Sequence, residues 1–262
     1  MVDIKMIRLI SIIMIIVSAT HLAFAEEFAE FKGRKLSHFE QEQMANDLMQ
    51  WVLIKHEKAE RRMVEAEYSA IKSYGRVDHD VINEYMRAGE PKEYLMPGYG
   101  AALKNRVKNL RNVMKKLPNY KGTVFRGASI KNVLLDKLKV GDILHEKAFL
   151  STSTLPSVAR DFAQGKVYEG VSAAQYKIDL NSSGRAINAY TFKHYEAEIL
   201  AKPDTYFLVE DIKKYSAEKN YIKLKELKKP SSYIRENSES HIYDSFSGEE
   251  VTLKSRIHLS CL

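Results

Sequence analysis

Three short motifs in the second half of the sequence carry residue types that could handle a phosphate, a sugar or a proton. The first is Phe125-Arg126-Gly127, with the arginine at the end of a predicted strand. A guanidinium presents five N–H donors in one plane, which suits phosphate and ribose oxygens. A glycine beside it would let a ligand approach the backbone. Alone, the motif is more typical of a surface arginine in a turn.

The second motif is a run of three hydroxyl side chains, Ser151-Thr152-Ser153. Side chains alternate between the faces of a strand, so Ser151 and Ser153 are expected to point the same way. Hydroxyls that face a core need partners, and a polar ligand or a buried carboxylate would supply them. An edge strand with solvated hydroxyls is the alternative interpretation.

The third motif is an acidic pair, Glu196-Ala197-Glu198, at the start of an apolar strand. Two residues apart on a strand, the carboxylates are expected on one side, where their repulsion raises the pKa of one of them. Such a carboxyl is a candidate for acid–base or electrostatic catalysis. The alternative is a pair of solvated surface acids.

The elements that must position these motifs divide the chain into a helical half and a strand-rich half. Apolar spacing of three and four residues predicts four helices before Pro118. Gly75 is expected to end the second, and Asp78 or Asp80 to cap the third. Short β-rich segments follow, which together predict an α+β fold. These predicted strands lie near residues 123–126, 143, 148–153, 174–178, 198–200, 206–209 and 219–228.

One more helix and a hairpin are predicted in the strand-rich half. Thr154 is expected to cap the helix, with Pro156 in its first turn and Phe162 among the inward residues. Ser247-Gly248 is expected to form a hairpin turn within the C-terminal segment.

Composition restricts the class of protein. The chain has 262 residues, a net charge of +7, 45% hydrophobic and 29% charged residues. It can therefore build a packed core, which excludes a wholly disordered protein. A single cysteine, Cys261, excludes an internal disulfide and a cysteine-based zinc site. No metal is expected.

The N-terminus predicts export. Lys5 and Arg8 precede an apolar run over residues 9–19, and Ala23-Phe24-Ala25 follows. This is the pattern of a secretory signal peptide cleaved after Ala25, so the mature protein is expected to be secreted. A membrane anchor would need about 20 apolar residues.

Taken in order, Arg126, Ser151-Thr152-Ser153 and Glu196-Ala197-Glu198 resemble the Arg–Ser–Glu class of mono-ADP-ribosyltransferases. That class includes actin-directed binary toxins, Rho-directed exoenzymes and secreted Vibrio-type single-domain toxins. The resemblance covers about residues 60–228 and implies N-terminal helices packed on a two-sheet core. The implied organisation is a signal peptide (1–25), an N-terminal helical segment (26–60), a catalytic domain (61–228) and a C-terminal extension (229–262).

The resemblance implies that NAD is the substrate and assigns the residues that bind it. Arg126 would hold the nicotinamide-side phosphate and ribose, the backbone of Gly127 would bond the nicotinamide amide, and Ser151 would hold Glu198. Ionised Glu198 would stabilise the positive charge that develops on the ribose as nicotinamide leaves. The remaining implied NAD-binding residues are Thr152 and Ser153 at the nicotinamide pocket, Phe162 stacked on the nicotinamide, Asn83 and Arg87 at the diphosphate, and Lys166 in the loop 165–172.

The resemblance also implies an acceptor. Residues 189–196 would form the substrate-recognition loop, in which Phe192 and Tyr195 flank Lys193 at the position of the family's aromatic residue. In the family, a glutamate at the position of Glu196 goes with arginine acceptors, and Glu196 would accept the guanidinium proton. The expected partners are NAD and an arginine-bearing host protein, with actin the first candidate.

Two other functions remain open at this point. In an NAD glycohydrolase, water would replace the acceptor. A basic binding module could instead use the Lys/Arg face of the fourth helix on an anionic membrane or nucleic acid. The transferase hypothesis predicts a monomer that does not bind nucleic acid. It leaves open whether the protein contacts a membrane during entry into a cell. The basic face comprises Lys104, Arg106, Lys108, Arg111, Lys115 and Lys116.

Overall fold

A computed structural model describes residues 36–252 of the chain. The predicted signal peptide, the first part of the N-terminal segment and Cys261 lie outside the described residues. Within them, no helix is both long and apolar enough to span a bilayer.

The four predicted N-terminal helices are present. The first begins with a capping box, in which Ser37 and Glu40 satisfy each other's backbone N–H groups. The helices are α1 (His38–Glu60), α2 (Glu65–Ser73), α3 (His79–Arg87) and α4 (Tyr99–Lys116).

The junction between α2 and α3 differs from the prediction. Gly75 does not end the helical path, because the chain continues through a π-helical turn, Tyr74–Asp78, directly into α3. A side chain at Gly75 would collide with Thr191, so the glycine allows this turn to approach the 188–196 segment. Asp78 makes no capping hydrogen bond, since its carboxylate bonds Ser73 and Arg106 instead.

The strand-rich half forms one hydrogen-bonded sheet of eight strands in the order β1-β3-β5-β4-β7-β6-β2-β8. Strands β1 and β4 also pair with each other, so β1, β3, β5 and β4 close into a ring that links the two expected sheets. The α+β prediction is confirmed. The strands are β1 (Tyr120–Lys131), β2 (Ile143–Glu146), β3 (Leu150–Ser153), β4 (Val171–Ala186), β5 (Glu198–Ala201), β6 (Thr205–Ser216), β7 (Lys219–Leu227) and β8 (Ile242–Asp244).

Two apolar clusters hold the halves together. One fills the sheet and receives Leu48 and Val52 of α1. The other joins α2, α3 and α4 to Phe149, which directly precedes β3, and to Leu200 of β5. The candidate site therefore lies on strands that are buried from both sides, which limits the movement of its side chains.

The described part of the chain has three further short α-helices: α5 (Asn132–Lys137), α6 (Pro156–Ala163) and α7 (Pro230–Glu236). Pro156 is in the first turn of α6, as predicted, but Thr154 is not the cap, because Leu155 occupies that position and no side chain caps the helix. The inward orientation predicted for Phe162 is also wrong. Its side chain is 46% exposed, since Ala159 and Ala163 supply the buried face of α6.

The C-terminal segment adds an edge strand. Strand β8 pairs in parallel with β2, and Tyr243 forms an antiparallel bridge with Glu250. Gly248 has φ +75°, so the predicted turn is present. The rest of the second arm, from residue 253, lies outside the described residues.

Candidate active site

Arg126 lies on β1, where it reaches the neighbouring strand β3. Its Nη1 donates to the Ser151 carbonyl oxygen at 2.7 Å. This bond orients the guanidinium beside the hydroxyl motif and leaves its other N–H groups available to a ligand. The structure thus brings together the first two predicted motifs.

Ser151 and Glu198 lie on adjacent antiparallel strands, β3 and β5. The Ser151 hydroxyl bonds the Glu198 carboxylate. Tyr74 of the π-helical turn approaches from the other side, with its hydroxyl 3.4 Å from Ser151 Oγ. Arg126, Ser151 and Glu198 therefore form one connected group, as the sequence predicted.

The carboxyl of Glu198 is electrostatically unusual. Its pKa is raised to about 7, mainly by burial and to a smaller extent by the negative charge of Glu196. The Ser151 hydrogen bond and the charges of Lys193 and Arg126 act against this. The predicted rise is present, but burial rather than repulsion is its main cause.

Glu196 is not on the strand, contrary to the prediction. It ends a short 3-10 turn, His194–Glu196, and Ala197 follows with φ +46°, which turns the chain before β5 begins. The Glu196 carboxylate pairs with Lys193 Nζ at 3.2 Å. Its side chain is 20% exposed, so it is accessible from outside the Glu198 group.

The other two hydroxyls of the motif have different positions. Ser153 Oγ donates to the Glu196 carbonyl at 2.6 Å and accepts from Leu155 N. It therefore fixes the backbone of the predicted recognition loop, residues 189–196, called here the acidic loop. Thr152 Oγ1 donates to the Ile199 carbonyl at 2.6 Å on the opposite face of β3. Any effect of Thr152 on a ligand is therefore indirect.

Asn83 and Arg87 project from α3 and are both engaged within the protein. Asn83 Nδ2 donates to the Tyr74 hydroxyl at 3.1 Å, and its Oδ1 accepts from Phe149 N at 3.2 Å. Arg87 pairs with Glu146 at 3.1 Å. Asn83 thus supports Tyr74, and Arg87 would have to share its guanidinium between Glu146 and a diphosphate.

The C-terminal extension contacts this arginine. The Arg87 guanidinium lies 4.5 Å from the centre of the Phe246 ring. Ser245 Oγ donates to Glu146 Oε2 at 2.8 Å. Sequence reasoning gave residues 229–262 no role, and the structure places part of this segment against a candidate NAD-binding residue.

Gly127, Phe162 and Lys166 mark the β1–α6 side of the site. A Cβ on Gly127 would lie 1.7 Å from the Ala159 carbonyl oxygen, so the glycine is required for α6 to pack on β1. Phe162 and Lys166 are both exposed, beyond the face that α6 buries. The structure therefore assigns Gly127 a packing role in addition to the predicted backbone contact.

The predicted recognition loop exposes both candidate aromatics. Phe192 and Tyr195 are 66% and 60% exposed. Arg76 lies over the Phe192 ring at 5.3 Å, which connects the loop tip to the π-helical turn. Both rings remain candidates for contact with an acceptor.

Sequence reasoning missed the group that holds the base of this loop. Tyr190 is buried and donates its hydroxyl to Glu60 Oε1 at 2.9 Å, while His56 Nδ1 lies 3.0 Å from the same hydroxyl. Burial and the nearby Arg185 charge lower the pKa of His56 to about 4, so the imidazole is neutral. A histidine at i and a glutamate at i+4 on one helix face was the only signal available.

The basic face of α4 is less open than the sequence indicated. Arg106 pairs with Asp78, Arg111 with Glu90, and Lys116 with Glu67. These ion pairs neutralise half of the six basic side chains, which weakens the case for an anion-binding surface. Among residues 36–252, no group of three or more His, Cys, Asp or Glu side chains is arranged to hold a metal ion.

Comparison with known proteins decides the family. The family model described as ADP-ribosyltransferase exoenzyme matches residues 49–229, more than half of the chain. The chain belongs to this family. It is accordingly an ADP-ribosyltransferase with NAD as its substrate, and the family match includes every candidate site residue described above.

Two relatives are similar in sequence. The Vis protein of Vibrio splendidus (strain 12B01), named as an NAD(+)–arginine ADP-ribosyltransferase, is 29% identical over 230 residues, which are 87% of this chain and 89% of Vis. The Mav protein of Mycobacterium avium (strain 104), named for the same activity, is 32% identical over 104 residues, but these are only 12% of its length.

Solved structures support the same fold. The crystal structure of Vis with agmatine has a TM-score of 0.74 at 29% identity, covering 86% of this chain and all of that one. The Clostridium limosum C3 exoenzyme has a TM-score of 0.53 at 16% identity, covering 70% of this chain and 95% of that one. The second likeness concerns the fold alone.

Proposed function

We propose that this ADP-ribosyltransferase transfers ADP-ribose from NAD to an arginine side chain of a protein and releases nicotinamide. The observation that carries the proposal is the connected group of Arg126, Ser151 and Glu198, with the accessible carboxylate of Glu196 beside it. The resemblance to Vis supports arginine as the acceptor, since Vis is named for that activity and its structure contains agmatine, a guanidinium compound.

The residues of this group have separate tasks. Arg126 binds phosphate and ribose oxygens through the N–H groups that Ser151 does not use. Ser151 orients the Glu198 carboxylate toward the ribose. When ionised, Glu198 stabilises the positive charge that develops as the glycosidic bond to nicotinamide breaks.

Glu196 serves the acceptor. A guanidinium is protonated in water and must lose a proton as its nitrogen bonds the ribose carbon. The Glu196 carboxylate binds the guanidinium and accepts that proton, so the positive charge on the arginine nitrogen does not accumulate. Lys193, which pairs with Glu196 in the structure, has to yield its position to the incoming side chain.

The cellular setting is also part of the proposal. The basic, apolar and Ala-x-Ala pattern over residues 1–25 supports secretion with cleavage after Ala25. A secreted member of this family acts as a toxin on a host protein, for which actin is the first candidate.

Two substitutions test the assignment of roles. Glu198→Gln should reduce nicotinamide release by about 10²–10³-fold, because a neutral amide cannot balance the charge on the ribose. Glu196→Gln should lose transfer to agmatine by about 10²–10⁴-fold and retain NAD hydrolysis. Nicotinamide release and ADP-ribosyl-agmatine, followed by mass spectrometry, measure both reactions. Undiminished turnover by the Glu198 variant would contradict the proposal.

The same measurement separates a transferase from an NAD glycohydrolase. In a glycohydrolase, water attacks the ribose, so the Glu196 substitution would leave nicotinamide release unchanged and wild-type protein would form no labelled agmatine. A lysate of host cells with biotin-labelled NAD then identifies the protein acceptor, and mass spectrometry identifies the modified side chain.

A further inference from the structure

A cavity of about 670 Å³ lies between α1, α6 and the acidic loop. Among the described residues that line it, Glu196 is the only member of the four candidate catalytic side chains. Arg126, Ser151 and Glu198 are not among its walls. The cavity thus reaches the proposed proton acceptor, and of the residues implied at NAD only Phe162 is among its described lining residues.

The walls of this cavity, called here the α1–α6 groove, carry negative charge and flat apolar surfaces. Glu42 of α1 and Asp161 of α6 add two carboxylates to that of Glu196, and Phe162 and Tyr195 add two aromatic rings. The whole chain has 41 Lys and Arg and a net charge of +7, yet no Lys or Arg lies among the described residues of the lining. The three carboxylates have basic neighbours that an incoming guanidinium would have to replace: Arg160 at 3.7 Å from Asp161, Lys193 at 3.2 Å from Glu196, and the His38 ring at 3.5 Å from Glu42.

This combination suits one kind of ligand. A guanidinium is planar, permanently charged and weakly hydrated, so it stacks on aromatic rings and bonds carboxylates edge-on. A diphosphate would be repelled by the same three carboxylates. The groove is therefore complementary to a basic side chain and unsuited to NAD.

We propose that the α1–α6 groove binds the acceptor, with Glu42 and Asp161 attracting an arginine-bearing basic segment toward Glu196. The proposal rests on the function proposed above and adds the surface that selects the acceptor. Phe162, expected from the sequence at the nicotinamide, is assigned here to a wall of the groove. Glu42 and Asp161 are specificity determinants and take no part in proton transfer.

Helix α1 is fixed in the position that the groove requires. Ser157 Oγ of α6 donates to Gln41 Oε1 of α1, and both residues line the groove. At the other end of α1, His56 and Glu60 bind Tyr190 at the base of the acidic loop. The two walls and the loop are therefore connected before an acceptor arrives, which lowers the cost of binding.

The double variant Glu42→Gln/Asp161→Asn tests the groove, with agmatine as the probe. Both carboxylates are well exposed, at 62% and 69%, so the variant should fold normally and each charge should contribute modestly. We expect KM for agmatine to rise about three- to tenfold. This factor corresponds to the loss of two exposed ion pairs between agmatine and the carboxylates of Glu42 and Asp161. KM for NAD and the rate of hydrolysis without acceptor should stay unchanged.

A matched control and a binding measurement complete the experiment. Glu57→Gln removes an acid of the same helix that pairs with Arg61 and does not line the groove, so it should leave all constants unchanged. Calorimetric titration of agmatine into each protein should show the same loss of affinity without any turnover.

The outcomes are distinct. An unchanged KM and affinity for agmatine in the double variant, or a parallel rise in KM for NAD, overturns the groove as the acceptor site. If wild-type protein hydrolyses NAD but modifies no guanidinium, the proposed transferase function fails and the groove assignment fails with it. Transfer by wild type with a selective agmatine defect in the double variant supports both.

Discussion

The protonation state of Glu198 sets the pH range in which the site can work. With a pKa of about 7, the carboxyl is only partly ionised near neutrality. The ionised form is the one that stabilises positive charge on the ribose. Burial, which produces the shift, also strengthens the interaction between this carboxylate and a developing cation.

We therefore predict that kcat/KM for NAD hydrolysis rises with pH and levels off above a midpoint near pH 7. Below the midpoint the rate should fall about tenfold per pH unit. In Glu196→Gln the midpoint should move to lower pH, because the neighbouring charge that raises the Glu198 pKa is gone. Nicotinamide release without acceptor, measured across the pH range, checks this. A midpoint that does not move, or moves upward, would contradict the assignment.

At the scale of secondary-structure elements, helix α1 positions the acidic loop by binding Tyr190, a residue outside the three motifs. Tyr190 lies near the start of the loop, and its hydroxyl forms hydrogen bonds with both His56 and Glu60. Among residues 36–252, His56 Nε2 finds no hydrogen-bond partner, which fits a neutral imidazole that donates from Nδ1 to the tyrosine oxygen. Two hydrogen bonds from α1 thus fix where the loop leaves the core.

Tyr190→Phe should reduce transfer to agmatine about tenfold while changing NAD hydrolysis by less than about twofold. The substitution removes both bonds and lets the segment carrying Glu196 move, but it leaves Arg126, Ser151 and Glu198 in place. Tyr68→Phe is the control, because it removes the hydroxyl of a neighbouring tyrosine. The Tyr68 ring packs edge-on against the Tyr190 ring, with the ring centres 6.2 Å apart. Equal losses of transfer and hydrolysis in Tyr190→Phe would show that the loop and the NAD site are not separable.

Helices and strands with a clear apolar periodicity could be predicted from the sequence, whereas turns held by distant residues could not. The helices α1–α4 and the strands around Arg126, Ser151 and Glu198 follow from local periodicity, which depends on neighbouring residues only. The π-helical turn at Gly75 could not be predicted in this way, because Gly75 lies close to Thr191, a residue distant in the sequence. The turn that separates Glu196 from Glu198 was missed for a similar reason, since Ser153 of another strand holds its backbone.

At the scale of the whole molecule, long-range packing decides which predicted residues face the site. Asn83 and Arg87 both lie on the predicted third helix, but their partners Tyr74 and Glu146 come from other elements. The contact between Phe246 and Arg87 has no sequence signal, because the two residues are far apart in the chain. Sequence supplied the chemical groups, and the tertiary fold determined their partners.

Two titratable groups whose pKa values are shifted by burial affect global stability in opposite directions. His56 has a folded pKa of about 4 against the ordinary 6.5 of a histidine, so the unfolded chain binds more protons between these values and stability rises with pH there. Glu198 has a folded pKa of about 7 against 4.5, so the folded chain binds more protons and stability falls as pH rises through that window. The two effects oppose each other over the overlapping range.

Replacing Glu198 by glutamine should therefore stabilise the protein above neutral pH. The amide never carries the buried charge, so the free energy of unfolding at pH 8 should exceed that of wild type by about 3 kcal/mol, following the conversion of a pKa shift to energy. Near pH 4, where the wild-type carboxyl is protonated in both states, the two proteins should be similar. Urea unfolding at both pH values measures the difference. A variant less stable than wild type at pH 8 would mean that hydrogen bonds to the carboxylate outweigh its burial, and that the charge needed for catalysis imposes no cost on the fold.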